Sequence, residues 1–486
     1  MNPVPESLAS LPHMGIGLST DLYFPPLEDL VRSFSEDQMP DYLEIFRGRT
    51  QDLKEARTRI IPNSIGTAYH GDTLWYTQTD FPENPGYIQE IARVNRHLDA
   101  LRSPWMIHEC AHKSILGRTF GSYLPPVLEE SSARWIRMNA LHLKSLLGGR
   151  SLLLEIPPFP MFSLGNLSPG EFFRMILVGT ELGMGLDIGH AMTAYRLERE
   201  CCDPEDFALW IRTTFPTGHI VQIHAGGLVP FKTESGIDFW DDHSRPIPEP
   251  LWECLETVLT LVPLPALKGV ALEVDNKDLP TIIQEFARFR ALVSRLWGKS
   301  PPTRPESHSF PHAPSQSPMD PMETALFRNE NRTLQEDFYR SYITELLEQE
   351  TNAEILLPLK GDPSRYRKMF YSDEIWRFGG HIPDLFPATL AILSPFIGDI
   401  QEEFVSFFHT VPVTELEPYD FLRTKVTLIQ IWIQNLSNRN VLEGKVAQRA
   451  LEMAHKEGTR ILIDQEWING DPCPEQSLPE ICPTDA

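Results

Sequence analysis

Six short apolar segments in the first 280 residues each end on a histidine, a glutamate or an aspartate, residue types that bind metal ions. The residues at the ends are His70, His108, Glu155, Asp187, His224 and Glu273. Burying a carboxylate without a partner is costly, so a carboxylate that closes an apolar segment calls for a specific reason. Imidazole and carboxylate together suit zinc, iron or manganese, and carboxylates can bridge two ions. The pattern therefore predicts a metalloenzyme.

Two further segments add residues of the same types. The first is Asp187-Ile188-Gly189-His190, which adds His190. The second is Asp241-Asp242-His243, in which the first and third residues share a strand-like face, so Asp241 and His243 are the predicted ligands. Two histidines near residue 110 are candidates for one ligand position. We favour His108, which directly follows its apolar segment, over His112.

The spacing of the apolar segments predicts the elements that position these side chains. Four to six apolar residues are the length of a buried parallel strand, and helical stretches lie between the segments. The eight predicted strands span residues 15–19, 42–46, 64–70, 105–109, 151–156, 183–188, 219–225 and 269–274. Eight strand–helix repeats indicate a (β/α)₈ TIM barrel, an α/β fold in which all strands end at one mouth. Residues far apart in sequence could therefore share a metal ion.

The remainder of the 486 residues predicts a second domain. Residues 299–322 are rich in proline and serine, which is typical of a linker. We expect a barrel domain over 1–298, a mostly α-helical C-terminal domain over 323–470 and a tail over 471–486.

Composition narrows the class of protein. The net charge of −24 opposes binding to nucleic acid, whose affinity depends on neutralising phosphates. No stretch approaches the ~18 apolar residues of a membrane helix, and the first residues lack the pattern of a signal peptide. The 6 cysteines show no paired spacing and are expected to be free thiols. We expect a cytoplasmic protein that binds neither nucleic acid nor membrane.

The ordered motifs resemble those of the multinuclear non-haem iron-dependent oxidases (MNIO family), barrel enzymes that modify ribosomally synthesised peptides (RiPPs). The resemblance covers residues 14–296. The matching motifs are Gly15-Ile16-Gly17-Leu18, Tyr42-Leu43-Glu44, His70-Gly71, Leu124-Pro125-Pro126, the strand that ends at Glu155, Asp187 with His190, His224 with Gly227, Asp241 with His243, and Glu273 with Asp275.

This chain departs from the family pattern at two places. The oxidases usually carry a Ser-Asp/Glu-His-Leu sequence near strand four, where this chain has Ile107-His108-Glu109-Cys110-Ala111-His112, so the second histidine ligand stays open. Many members have asparagine where this chain has His190, a change expected to strengthen the third metal position.

The resemblance implies a set of two or three iron ions, mixed-valent Fe²⁺/Fe³⁺, with O₂ as co-substrate. It places one ion at His70, His108 and Glu155, and a second at Glu155, Asp187, His224 and Glu273. A third would be held by His190, Asp241 and His243. Glu155 is then the bridge between the first two, and Glu155, Asp187 and His224 are the predicted catalytic residues.

The same resemblance implies a precursor peptide as substrate, modified at cysteine in RiPP biosynthesis. Such oxidases commonly need a second protein that delivers the peptide, and the C-terminal domain could be that partner fused in the same chain. The alternative is a dimerisation or packing domain. Two other functions remain open: a divalent-metal isomerase or phosphodiesterase related to the xylose-isomerase-like and endonuclease barrels, and a peptide-binding scaffold with structural metals.

Overall fold

The computed structural model describes most of the barrel and part of the last third of the chain. The described residues are 4–46, 48–81, 85–115, 118–159, 161–199, 203–233, 236–274, 277–297, 325, 328–335, 358–361, 376, 381–408, 410–411 and 421–469. The linker expected at 299–322 and the tail expected at 471–486 lie outside them.

Eight parallel strands form a closed barrel, as predicted. They are β1 (Gly15–Thr20), β2 (Tyr42–Ile45), β3 (Gly66–His70), β4 (Trp105–Glu109), β5 (Ser151–Glu155), β6 (Gly183–Asp187), β7 (Ile220–Ala225) and β8 (Gly269–Glu273). Each strand pairs with the next one in the chain, and β8 pairs with β1 to close the barrel. Every strand is buried along nearly its whole length, which explains why the segments are apolar throughout rather than alternating.

Helices cover the outside of the barrel. They are α1 (Glu6–Ala9), α2 (Leu27–Ser33), α3 (Thr50–Glu55), α4 (Pro85–Leu101), α5 (Glu130–Ser145), α6 (Pro169–Leu177), α7 (Ile188–Glu198), α8 (Pro204–Thr214), α9 (Glu249–Leu261) and α10 (Leu279–Leu296). A π-helical turn at Ala56–Ile60 extends α3, and a 3₁₀ turn at Thr217–His219 precedes β7. Helix α6 begins with a capping box between Ser168 and Glu171.

The described part of the chain also contains three short two-stranded sheets that were not predicted. His112–Ile115 pairs with Arg118–Leu124 after β4, and Leu228–Thr233 pairs with Gly236–Asp241 after β7. The third sheet joins Phe162–Leu164, after β5, to Leu359–Gly361 in an antiparallel pair. The first two follow barrel strands directly and so stand at the mouth of the barrel.

The inner faces of the strands fill the barrel with side chains. Tyr42, Ala68, Trp105, Ile107, Leu153 and Ala271 belong to one buried cluster in the lumen. Glycine is required where a bulky side chain crosses the lumen, since a Cβ at Gly17 would lie 2.3 Å from the ring of Tyr42. The lumen is therefore a packed plug below the mouth rather than a channel.

The described C-terminal elements are helical: α11 (Ile382–Leu385), α12 (Pro387–Leu393), α13 (Ile400–Phe408), α14 (Phe421–Asn438) and α15 (Gly444–Asn469). Their buried cluster, around Phe386, Phe404 and Trp432, also includes Leu124 and Phe162 of the barrel loops. The C-terminal helices therefore share a hydrophobic core with those loops. Among the described helices, none is long and apolar enough to cross a membrane.

Candidate metal centre

The last inward-facing residue of seven barrel strands carries a side chain that can bind metal. These residues are Glu44 in β2, His70 in β3, Glu109 in β4, Glu155 in β5, Asp187 in β6, His224 in β7 and Glu273 in β8. All are buried, with at most 7% of the residue exposed. Because parallel strands end together in a barrel, these side chains meet at its mouth.

These seven strand-end residues form the ring, and Glu155 stands at its centre. Its Oε2 lies 3.0 Å from Nε2 of His70, and its Oε1 lies 2.7 Å from Nδ1 of His224. The same nitrogen of His224 is 3.0 Å from Oε1 of Glu273. One carboxylate that turns its two oxygens to two different histidines has the arrangement of a bridging ligand.

Among the described residues, four groups bring ligand atoms within 4.8 Å of one another. The groups are His70, Glu109 and Glu155; Glu155, Asp187 and His224; Glu44, His70, His224 and Glu273; and His190, Asp241 and His243. Eight of the nine predicted metal ligands are therefore brought together in such groups, and His108 is not.

His108 lies on the other face of β4. Trp105 and Ile107 belong to the lumen cluster, so with a period of two Glu109 faces the lumen and His108 faces away from it. Its Nδ1 is 3.0 Å from the carbonyl oxygen of Glu109, and its Nε2 is 3.2 Å from the backbone nitrogen of Leu74. Both ring nitrogens therefore contact backbone atoms, and Glu109 is the residue of β4 that enters a metal-binding group.

The rival histidine does not enter the groups either. His112 is fully buried at the start of the hairpin after β4, and burial lowers its pKa to about 3. Neither ring nitrogen has a hydrogen-bond partner among the described residues.

Glu44 and Glu109 belong to these groups but are not among the predicted ligands. Glu44 stands in the motif Tyr42-Leu43-Glu44, and Glu109 directly follows the predicted ligand His108. Counting in steps of two along each strand would have found both, because Tyr42 precedes Glu44 and Ile107 precedes Glu109 on the lumen face.

The ring concentrates more negative charge than its histidines balance. Burial raises the pKa of Glu109 to about 7 and that of Asp187 to about 6, against the attraction of nearby histidines. Burial alone would lower the pKa of His70 and His224, but the surrounding carboxylates raise both well above the ordinary value. Within the described part of the chain, Oε2 of Glu109 and Oδ2 of Asp187 have no hydrogen-bond partner. A bound cation would neutralise these buried carboxylates and contact the oxygens that have no hydrogen-bond partner.

A second site lies beside the ring, at the end of the hairpin after β7. The two oxygens of Asp241 lie 3.3 Å from Nε2 of His190 and 2.9 Å from Nε2 of His243. Nδ1 of His190 donates a hydrogen bond to the carbonyl of Ile156 at 2.8 Å, so Nε2 is the nitrogen left to bind a metal. Nδ1 of His243 is 3.2 Å from Oε2 of Glu273, which joins this site to the ring.

Local sequence explains how these two histidines are held. Asp187 ends β6 and caps α7, since its Oδ1 accepts a hydrogen bond of 2.6 Å from the backbone N–H of His190. A Cβ at Gly226 would lie 2.3 Å from Nε2 of His243, so only glycine leaves room for that ring. Asp242 turns away and accepts from the backbone of Ser244.

The donor set is nitrogen and oxygen only. Among the cysteines of the described residues, Cys110 is buried next to Glu109 and Cys254 is buried in α9, and neither belongs to a metal-binding group. Imidazole with carboxylate fits iron, manganese or zinc at a reactive site and does not resemble a structural zinc site rich in thiolates.

The barrel part of the chain matches a known protein family. Residues 14–294 match the family described as RiPP precursor modification enzyme MbnB/TglH/ChrH. A UPF0276 protein of Acaryochloris marina is 23% identical over 213 residues, which cover 44% of this chain and 70% of that protein.

The chain is also similar to solved structures. Endonuclease IV from Thermus thermophilus has 15% identity and a TM-score of 0.36, covering 58% of this chain and 99% of that one. A xylose isomerase domain protein from Planctomyces limnophilus has 10% identity and a TM-score of 0.37, covering 59% and 99%.

Proposed function

The chain belongs to the MNIO family of RiPP precursor modification enzymes, and from that premise we propose that it is an iron-dependent, O₂-using oxidase that modifies a ribosomally synthesised peptide at cysteine. The observation that carries the proposal is the ring of buried carboxylates and histidines at the strand ends. Such a ring is costly without cations, and its three linked groups and the adjoining fourth offer room for more than one ion.

We assign the ligands by the groups in which they meet. One iron ion would be held by His70, Glu109 and Glu155, and a second by Glu155, Asp187, His224 and Glu273. His190, Asp241 and His243 would hold a third. This assignment keeps the predicted set, with Glu109 in the place of His108, and it leaves Glu155 as the bridge.

Bound iron would supply one-electron chemistry and the activation of O₂, which the side chains of the chain itself lack. The chain contributes position and environment. Glu155 would hold two ions at a fixed separation, and Asp187 would act both as ligand and as the cap that orients His190. The packed lumen closes the ring to water from below, so substrate and O₂ would reach it from the mouth.

A thiol of the substrate peptide is the ligand that this donor set lacks. The ring offers oxygen and nitrogen only, so a cysteine thiolate of the peptide would add a soft ligand to an ion held there. Binding at that position would bring the cysteine side chain next to the site of O₂ activation.

The C-terminal helices are proposed to deliver the peptide. They share a core with Leu124 and Phe162, and both belong to segments that follow barrel strands at the mouth. A peptide held on these helices would have a raised effective concentration at the ring. We also propose that the barrel domain ends at residue 298, the linker at residue 322 and the helical domain at residue 470.

The test is turnover of a small cysteine-containing peptide encoded beside this chain. The full-length protein is loaded anaerobically with Fe²⁺, mixed with the peptide and exposed to O₂, and the peptide mass is followed. A mass change that needs iron, O₂ and the cysteine supports the proposal. A change that proceeds with zinc and without O₂ favours a metal-dependent isomerase or hydrolase instead.

A further inference from the structure

The loop that follows Glu155 has few hydrogen-bonding groups of its own. Its sequence is Ile156-Pro157-Pro158-Phe159-Pro160, and residues 156–159 are buried. Proline has no backbone N–H, so Phe159 carries the only one in residues 157–160. A buried backbone N–H needs a hydrogen-bond partner. The partner of Phe159 therefore decides how this loop is held.

Thr193 in α7 supplies that partner. Its Oγ1 accepts a hydrogen bond of 2.8 Å from the backbone N–H of Phe159 and donates one of 2.7 Å to the carbonyl oxygen of His190. The directions are fixed by chemistry, because a backbone N–H only donates and a carbonyl oxygen only accepts. This buried hydroxyl thus joins the loop to the first turn of the helix that carries His190.

The same loop contacts the imidazole of His190 at a second point. Nδ1 of His190 donates to the carbonyl oxygen of Ile156 at 2.8 Å, and the backbone N–H of Ile156 donates to the carbonyl oxygen of Gly185 at 3.2 Å. The prolines at positions 157 and 158 restrict the backbone between Ile156 and Phe159. A displacement of Phe159 would therefore move the carbonyl that orients the imidazole of His190.

We propose that Thr193 is a positioning residue for the site of His190, Asp241 and His243 beside the ring. Its hydroxyl anchors the loop whose Ile156 carbonyl holds Nε2 of His190 towards Asp241, and that nitrogen lies 3.3 Å from Oδ2 of Asp241. Groups that bond the second nitrogen of a ligating imidazole fix its orientation and contribute to metal affinity. The inference rests on the proposed metal centre.

The first test removes the hydroxyl and keeps the shape of the side chain, in Thr193→Val. The full-length protein is titrated with Zn²⁺ as the probe, and the binding step that is absent from His190→Gln is assigned to the site beside the ring. We expect the Zn²⁺ affinity of that step to fall by about 10-fold, the lower end of the usual effect of losing an outer partner of a ligand. The steps of the ring should be unchanged. Thr193→Ser keeps the hydroxyl and should bind Zn²⁺ as the wild type does.

Thr180→Val is the matched control. Thr180 is buried and makes the same pair of bonds, since its Oγ1 donates to the carbonyl oxygen of Leu177 at 2.7 Å and accepts from the backbone N–H of Leu182 at 3.1 Å. It precedes β6, at the opposite end of that strand from Asp187. Thr180→Val should lower the stability of the chain as Thr193→Val does, but leave every Zn²⁺ step unchanged.

Hydrogen exchange of the wild-type chain tests the same coupling without removing the hydroxyl. Exchange of the Phe159 amide is read in fragments that cover residues 156–160, where the prolines contribute no amide hydrogen. Because coupling between two places is reciprocal, Zn²⁺ should slow this exchange more in the wild type than in His190→Gln.

Several results would overturn the inference. Unchanged affinity of the site in Thr193→Val, an equal loss in Thr193→Ser, or an equal loss in Thr180→Val would leave Thr193 with a structural role only. Exchange at Phe159 that does not respond to Zn²⁺ would contradict the coupling while leaving the metal centre standing. A wild-type chain that binds neither Zn²⁺ nor Fe²⁺ would contradict the metal centre, and the inference with it.

Discussion

Glu155 is the residue on which the proposed centre depends most, because its two oxygens face His70 and His224 separately. Replacing it with alanine removes a ligand from two of the groups at once. We expect the Glu155→Ala variant to lose the iron of both groups and to have no peptide-modifying activity. It should retain the ion at His190, Asp241 and His243. Iron content and peptide mass measure the two effects. Full turnover by this variant would mean that the metals are structural or that the bridge lies elsewhere.

His97 gives a prediction about pH that does not involve the ring. It is buried against Tyr69, and burial lowers its pKa to about 3 from an ordinary value near 6.5. As the pH falls below about 6.5, His97 binds a proton in the unfolded chain but stays neutral in the folded chain. The free energy of unfolding therefore falls by up to about 1.4 kcal/mol per pH unit. This loss of stability continues until the pH reaches the pKa of His97 in the folded chain, about 3.

We therefore expect His97→Gln to show a flatter dependence of unfolding free energy on pH. Between pH 6.5 and 4.5 the variant should lose roughly 2 kcal/mol less than the wild type. Denaturant unfolding at several pH values measures this difference. Parallel curves for the two proteins would show that His97 is protonated in the folded chain.

At the scale of elements, the sequence predicted all eight barrel strands, but the structure leaves one predicted ligand, His108, outside the metal-binding groups. Apolar segments of strand length specify which stretches enter a barrel, so all eight strands were found. Which face a strand-end residue presents depends on the two-residue alternation, and residue type suggested His108 where alternation selects Glu109. The hairpins after β4 and β7 escaped prediction because glycine, proline and polar residues interrupt the apolar residues of their strands, which lack the continuous apolar segment of a barrel strand.

A buried ion pair fastens two ligand-bearing elements together. Nζ of Lys277 lies 2.7 Å from Oε2 of Glu285 in α10 and 3.3 Å from the carbonyl oxygen of Glu273 at the end of β8. Oε1 of Glu285 accepts a hydrogen bond of 2.6 Å from the backbone of Ile247, in the segment that follows His243. Glu285 therefore ties the element that carries Glu273 to the one that carries His243.

Removing one partner of this pair should be costly. We expect Glu285→Ala to reduce the free energy of unfolding by about 3–5 kcal/mol, because Lys277 is left charged and buried. The control is Arg295→Ala on the same helix, which breaks an exposed pair with Glu256 and should cost at most about 1 kcal/mol. Denaturant unfolding compares the two. Equal effects would show that Lys277 gains another partner or solvent.

At the scale of the whole molecule, the shared core makes the barrel and the C-terminal helices depend on each other. Composition separates residues 323–470 from the barrel, but it carries no sign that Leu124 and Phe162 pack with Trp432. Such contacts join distant parts of the chain, and no local pattern specifies them.

Phe162 tests this dependence. It is fully buried between the barrel and the helices, so Phe162→Ala should reduce stability by about 3–5 kcal/mol and shift a single cooperative transition. Phe396→Ala is the control, since that side chain is 45% exposed and should have little effect. Calorimetry would contradict the shared core if it resolved two transitions of which only one moved.

The central claim is that the strand-end ring holds iron. The most direct measurement is the metal content of the full-length chain, purified after expression with iron and zinc both present, by elemental analysis per mole of protein. The account predicts two or three iron ions per chain, with more than one of them lost in Glu155→Ala. A chain that carries zinc in place of iron, or no metal in the ring, would contradict it.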